Sequence, residues 1–158
     1  MAKKKSAFDR VPQRQVGVDH LNAQGLHLLQ QGQFQAGAEL LRQSLAQNPR
    51  QPEVAYNLGY ALQQLGLMDR AIEAYGQAIA HAPQDVDALM ARGHELATLK
   101  RYTEAEVDFA KAVKLAPQNV DAWNNYGNVL LELGRDADAI AHPRQQPHQQ
   151  LFQNQIRY

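Results

Sequence analysis

The chain has 158 residues, with sixteen basic and sixteen acidic side chains and no cysteine. That length holds one modest core with short tails, and the lack of cysteine excludes disulfides and thiolate metal sites and fits a cytoplasmic chain. The charges cancel overall but are unevenly placed, with net +4 over residues 1–17, −5 over 18–133 and +1 over 134–158.

Residues 1–17 carry Lys3, Lys4, Lys5, Arg10 and Arg14 against Asp9. No apolar run follows the lysines, so this is not a secretory signal, and no stretch of the chain approaches the length of a membrane span. The segment reads as a flexible basic tail, either simply solubilising or in weak contact with an anionic surface or nucleic acid. The acidic residues 18–133 argue against a nucleic-acid groove, so neither nucleic acid nor membrane is expected as a partner.

From residue 18 onward, three registers repeat at a spacing of 34. Glycines stand at Gly25, Gly59, Gly93 and Gly127, prolines at Pro49, Pro83 and Pro117, and small residues at Gly37, Ala71, Ala105 and Ala139. Such an array presents surfaces more often than it performs chemistry. The periods divide into 18–51, 52–85, 86–119 and a partial fourth at 120–141.

Each period holds two helix-length segments. In residues 51–65, Pro52 suits the first helical position. Val54, Leu58, Ala61, Leu62 and Leu65 then line one face, and Gly66 stops the helix. In residues 69–82, Ala71, Ile72, Tyr75, Ala78 and Ile79 form the stripe, Asp69 complements the dipole, and Pro83 ends the segment. The third period follows the same plan with Leu89, Leu96, Ala105, Phe109 and Val113. It departs at Lys100, where other periods have Gly32, Gly66 and Gly134. A lysine in a left-handed cap costs roughly 1 kcal/mol, so a slightly different turn is expected there. Glycine at mid-helix costs about 1 kcal/mol against alanine, so its recurrence predicts close helix–helix approach. Leu41, Tyr75 and Phe109, also 34 apart, are expected to fill the space beside it.

These positions resemble the tetratricopeptide repeat family. The second period supplies Ala55, Leu58, Gly59, Leu62, Ala71, Tyr75, Ala78 and Pro83, and the third supplies Leu89, Gly93, Leu96, Ala105, Phe109, Ala112 and Pro117. The resemblance covers about residues 18–141. It implies an all-α, right-handed superhelical solenoid of antiparallel helix pairs, about 3.5 repeats long, whose first helices line a concave groove.

The fourth period breaks after Ala141. Pro143 falls in the column of Leu41, Tyr75 and Phe109, where a helix-interior proline costs about 3 kcal/mol, and Asp136 replaces the apolar residue at Phe34, Met68 and Tyr102. Residues 142–158, rich in Gln and Pro, read as a disordered tail. Trp123, Tyr126, Leu130 and Leu133 are then expected to lack cover. If about 400 Å² of apolar surface stayed wet, the forgone stabilisation is on the order of 10 kcal/mol. A second copy of the chain, another partner, or the tail's Leu151, Phe152 and Ile156 are the expected covers. An on-pattern helix that turns into unrelated sequence also fits a frameshifted or truncated piece of a longer protein.

No enzyme chemistry is expected, and no cofactor or metal. Serine occurs only at Ser6 and Ser44, no histidine pair has i, i+4 spacing, and no phosphate-binding glycine loop exists. His94 beside Glu95 reads as a groove or surface histidine. The family geometry implies a peptide-binding groove carrying Asn22, Leu26 and Leu29; Tyr56, Tyr60 and Gln63; Met90, His94 and Ala97; Asn124, Asn128 and Leu131. Tyr56 and Tyr60, four apart, either form a shelf with Met90 and His94 for peptide capture or simply pack on neighbouring helices. On the first reading, Tyr56→Ala with Tyr60→Ala weakens partner binding and leaves helicity intact. Asp19, Glu53, Asp87 and Asp121 put one acid in each repeat, either as first-turn dipole partners or as a rim selecting a basic ligand.

Some members of the family clamp an acidic chaperone tail with Lys, Asn, Asn, Lys and Arg. The corresponding positions here hold Asn22, Leu26, Asn57, Asp87 and Ala91, or, one repeat on, Tyr56, Tyr60, Ala91, Asp121 and Asn125, so that clamp is not expected. The repeats are more similar to those preceding glycosyltransferase domains of the O-linked N-acetylglucosamine type. Those carry an Asn two residues before the repeat glycine, which Asn57 and Asn125 match and Ala23 and Ala91 do not. A side-chain amide there both donates to and accepts from a peptide backbone. The expected function is a non-catalytic scaffold or adaptor that holds a partner's peptide segment. Its rivals are the substrate-presenting N-terminal part of a larger enzyme such as a glycosyltransferase, and a structural piece that self-assembles through the uncapped end.

Overall fold

A computed structural model describes residues 13–135. They form seven helices, α1 (Gln13–Gln30), α2 (Phe34–Gln47), α3 (Pro52–Gln64), α4 (Met68–His81), α5 (Val86–Thr98), α6 (Tyr102–Leu115) and α7 (Val120–Glu132), with no strand among the described residues. Pro143 and the remainder of the fourth period after Arg135 lie outside them. The chain divides between Ala82 and Pro83 into two compact units. In the first, α1–α2 and α3–α4 are antiparallel pairs, α2 packs on α3, and α1 touches α3. In the second, α5 and α6 form a pair, α7 packs on α6, and α5 touches α7.

Helix starts follow the local chemistry. Pro52 opens α3. Asp85 and Asn119 cap α5 and α7 by accepting from the backbone N–H of Ala88 and Ala122 at 3.1 and 3.0 Å. α1 begins at Gln13, inside the segment expected to be tail. One consequence is that Asp19 lies well past the first turn of α1, whereas Glu53, Asp87 and Asp121 do sit in first turns. The dipole reading of that acidic column therefore holds for three of its four members.

The expectation of a different turn at Lys100 is overturned. Lys100 adopts φ 59°, beside 73°, 72° and 71° for Gly32, Gly66 and Gly134. Its N–H reaches Ala97 O at 2.9 Å and the N–H of Arg101 reaches Leu96 O at 2.8 Å, as Gly66 and Leu67 reach Gln63 and Leu62 at 2.9 Å each. The two helices it joins impose the turn, and the lysine accepts the strain. Lys100→Gly is accordingly expected to stabilise the second unit by up to about 1 kcal/mol, read as a rise in thermal midpoint.

The repeat glycines face the large column directly. A Cβ built on Gly25 would lie 2.7 Å from Leu41, on Gly59 2.6 Å from the Tyr75 ring, and on Gly93 2.8 Å from the Phe109 ring. Leu41, Tyr75 and Phe109 are all fully buried. At Gly127 nothing among the described residues stands within 4 Å. The large column continues there with Pro143, outside the described residues.

The C-terminal face is less exposed than expected. Leu130 is fully buried, and Trp123, Tyr126 and Leu133 are half-buried. Trp123 donates from Nε1 to Pro117 O at 2.9 Å and stands 6.3 Å from the Tyr126 ring. The exposed apolar residues of this unit include instead Val107, Val120 and Leu131.

Candidate functional site

In the first unit, most of the expected groove residues are engaged with protein. Asn22 Nδ2 donates to Gln51 Oε1 at 2.8 Å, and Gln51 Nε2 in turn donates to Asn48 O at 2.8 Å and to buried Ser44 Oγ at 3.0 Å. Gln51 occupies the register of the caps Asp85 and Asn119 but closes this cluster instead of capping α3. Asn22 thus belongs to the α2–α3 connection. Tyr56 is half-buried with its ring 5.5 Å from that of Tyr75, and Tyr60 meets Phe34 edge-on at 6.0 Å. Gln63 accepts from the Tyr75 hydroxyl at 3.0 Å. Leu29 is buried, with its Cδ2 2.5 Å from where a Cβ on Gly37 would stand, so it is core and not groove. Leu26 and Tyr60 keep 38% and 39% of their surface exposed. Because Tyr56 supports Tyr75, the Tyr56→Ala/Tyr60→Ala pair alters the core as well as the face.

The second unit assembles a cavity. α5, α6 and α7 enclose about 300 Å³ lined by His94, Ala97, Thr98, Tyr102, Phe109, Asn125, Asn128, Val129 and Glu132. Four expected residues, His94, Ala97, Asn125 and Asn128, meet there. Met90 and Asn124 are half-buried and do not line it, and the Oδ1 of Asn124 is buried without a partner. Helical spacing explains the assembly. On α7, Asp121, Asn125, Asn128 and Glu132 fall at i, i+4, i+7 and i+11, and on α5 Asp87, Ala91, His94 and Thr98 do the same. Val129 and the Phe109 ring supply apolar wall.

Polar groups here are unevenly satisfied. Thr98 Oγ1 donates to His94 O at 2.9 Å, and His94 Nδ1 lies 3.5 Å from buried Glu95. Burial followed by the charge of the neighbouring Glu132 carboxylate raises the Tyr102 phenol above its ordinary pKa. Among the described residues, the amides of Asn57, Asn125 and Asn128 make no side-chain hydrogen bond to protein. Asn57, half-buried on α3, is the first-unit member of the register that Asn125 continues.

Tyr102, Thr98 and Glu132 were not anticipated. Glu132 was detectable, since its register reads Gln30, Gln64, Thr98 and Glu132, with one carboxylate among neutral residues. A second unforeseen feature joins α5 to α6. Arg92 grips Asp108 through two bonds at 2.7 and 2.6 Å, with the Asp108 side chain 2% exposed. That hydrogen bonding raises the Arg92 pKa above its ordinary value.

Among the described residues, no group of three or more His, Cys, Asp or Glu is placed to hold a metal ion. No helix among them is long and apolar enough to cross a membrane.

The tetratricopeptide repeat profile matches residues 22–86, 61–118 and 90–144. No curated protein matches the sequence. Among solved structures, MamA (AMB-1) is 27% identical with a TM-score of 0.74, covering 79% of this chain and 68% of its own. The first repeat domain of Spaghetti (RPAP3), bound to an HSP90 peptide, is 21% identical with a TM-score of 0.69, covering 75% and 94%. The Arabidopsis OM64 domain is 22% identical with a TM-score of 0.67, covering 73% and 96%. The three overlapping profile matches coincide with the repeat register of the sequence and with the pairing of Gly25, Gly59 and Gly93 against Leu41, Tyr75 and Phe109 on the next helix. The chain belongs to the tetratricopeptide repeat family.

Proposed function

We propose that this protein is a non-catalytic binding module that holds an extended segment of a partner protein against its first-helix faces. The cavity of the second unit carries the reading. It is an open site of about 300 Å³ whose wall is apolar at Phe109 and Val129 and whose Asn125 and Asn128 amides make no side-chain hydrogen bond among the described residues. Each amide matches both halves of a peptide bond, which holds backbone with little demand on sequence. The repeat domain of Spaghetti (RPAP3), whose structure contains a bound peptide, shares the fold. The acidic tail on that peptide is not a fit here, because the positions that hold lysines in chaperone-clamping relatives are neutral or acidic in this chain.

The test is selection of a displayed library of random 12-residue peptides on the full chain, followed by titration of synthetic selected peptides. Asn125→Ala and Asn128→Ala are each expected to weaken binding about 5–10-fold, the worth of one backbone hydrogen bond, with the far-UV circular dichroism unchanged. Selected peptides that bind both variants with undiminished affinity would refute the site.

A further inference from the structure

Among the described residues, the α5 and α7 rows of the second unit are acidic and carry no lysine or arginine. The α5 row is Asp87, Ala91, His94 and Thr98, and the α7 row is Asp121, Asn125, Asn128 and Glu132, with three carboxylates between them. Nearby arginines are turned elsewhere. Arg92 is held by Asp108 at 2.6 Å, Arg101 by Glu104 at 2.7 Å, and Arg135 by Glu106.

Glu132 is placed against local preference. It ends α7, where the helix dipole disfavours a carboxylate, and the same register in the other three repeats is neutral. A carboxylate offers hydrogen-bond acceptor sites on both oxygens. The Glu132 carboxylate lines an open cavity in which Ala97, Phe109 and Val129 supply apolar wall and His94, Thr98, Tyr102, Asn125 and Asn128 supply polar groups. Apolar wall beside an acceptor-only anion matches the build of a long cationic side chain, with its methylene stem along Ala97, Phe109 and Val129 and its charged head at Glu132. The volume is at the small end for ligand sites, about 300–1,000 Å³, and suits one side chain better than a whole small molecule.

Resting on the peptide-binding reading above, we infer that this face selects a segment of a partner protein bearing a lysine or arginine, whose head is received by Glu132 while Asn125 and Asn128 hold the flanking backbone. Charge complementarity makes the binding weaken as ionic strength rises.

The experiment uses the same random 12-residue library on the full chain, with Glu132→Gln as the comparison. Lysine or arginine is expected at one recurrent position among selected peptides. A synthetic peptide is expected to lose about 10-fold in affinity on Glu132→Gln, and about as much when that residue is replaced by norleucine. Both changes together should cost little more than either alone, the mark of a direct pair. Glu132→Gln keeps the side chain's size and removes the dipole conflict, so its thermal midpoint should not fall, which separates loss of recognition from loss of structure. Selected peptides without a recurrent cation, or indifferent to Glu132→Gln while still sensitive to Asn125→Ala, would overturn the cation assignment and leave the groove standing. Failure to enrich any peptide would overturn both. Tighter binding when Lys3, Lys4 and Lys5 are changed to Gln would identify the chain's own basic segment as the occupant, and that too would overturn the assignment to a partner.

Discussion

Arg92→Leu is expected to destabilise the second unit by about 3–5 kcal/mol, because it strands a carboxylate in the core. The Asp108 side chain is 2% exposed and has its two oxygens taken by Arg92. Asp108→Ala should cost less, since Arg92 keeps 27% of its side-chain surface and can turn toward water. The double variant is the informative one. In the preceding repeat the same two registers hold Leu58 and Ala74, both buried. Arg92→Leu with Asp108→Ala therefore installs an apolar pair that this fold already accommodates one repeat earlier. It should recover to within about 1 kcal/mol of the parent, as apolar replacements of buried ion pairs commonly do. Trp123, the single tryptophan, lies in the same unit and reports its unfolding by fluorescence. At roughly 4–8 °C per kcal/mol for a unit of this size, the single substitution should lower the midpoint by more than about 10 °C. A single Arg92→Leu as stable as the parent would mean that Asp108 finds water or another donor, and that the pair does not hold α5 to α6.

That pair shows where sequence reading ran out. Periodicity identified α2–α7 because each helix pair buries the same registers, so the pattern is written repeatedly and noise averages away. What varies between repeats does not benefit from repetition. An arginine at the Leu58 register and an aspartate at the Ala74 register look like two surface charges until a structure places them 2.6 Å apart. Lys100 illustrates the opposite error. Its side-chain chemistry pointed to an altered turn, but packing of α5 on α6 dictates the backbone and the residue conforms. The groove divided along similar lines. Helical spacing was enough to group His94, Asn125 and Asn128, which need only their own helices' geometry. It could not show that Asn22 turns to Gln51, that Leu29 packs on Gly37, or that Tyr102 from α6 reaches Glu132, because those contacts depend on side-chain direction between helices. The register of Glu132 held the available clue, a lone carboxylate at a helix end where the dipole opposes it.

The glycine column yields a test in which one substitution has opposite signs at two equivalent positions. Gly59→Ala should destabilise the first unit by about 2 kcal/mol, the cost of overpacking a rigid core. The added methyl would lie 2.6 Å from two carbons of the Tyr75 ring. That ring cannot yield cheaply, because it is 1% exposed, stacks near Tyr56 at 5.5 Å and is tethered through its hydroxyl to Gln63 at 3.0 Å. Overpacking of this kind costs about 1–3 kcal/mol, and a rigid, doubly anchored neighbour puts Gly59 at the upper end, offset by about 1 kcal/mol from the better helix propensity of alanine. At Gly25 the neighbour is an aliphatic Leu41 at 2.7 Å, which has rotamers to spare, so the same change there should cost less. At Gly127 no described residue stands within 4 Å of the new methyl, the propensity gain is unopposed among them, and Gly127→Ala should stabilise by up to about 1 kcal/mol. Urea unfolding followed by circular dichroism ranks the three. Introducing Tyr75→Ala should remove the penalty at Gly59, so that Gly59→Ala turns favourable in that background even though the background itself is weaker, a non-additivity expected only of residues in direct contact. If Gly59→Ala is instead neutral in the parent chain, α3 and α4 can move apart without loss, and the recurrence of glycine in every repeat reflects something other than the distance between paired helices.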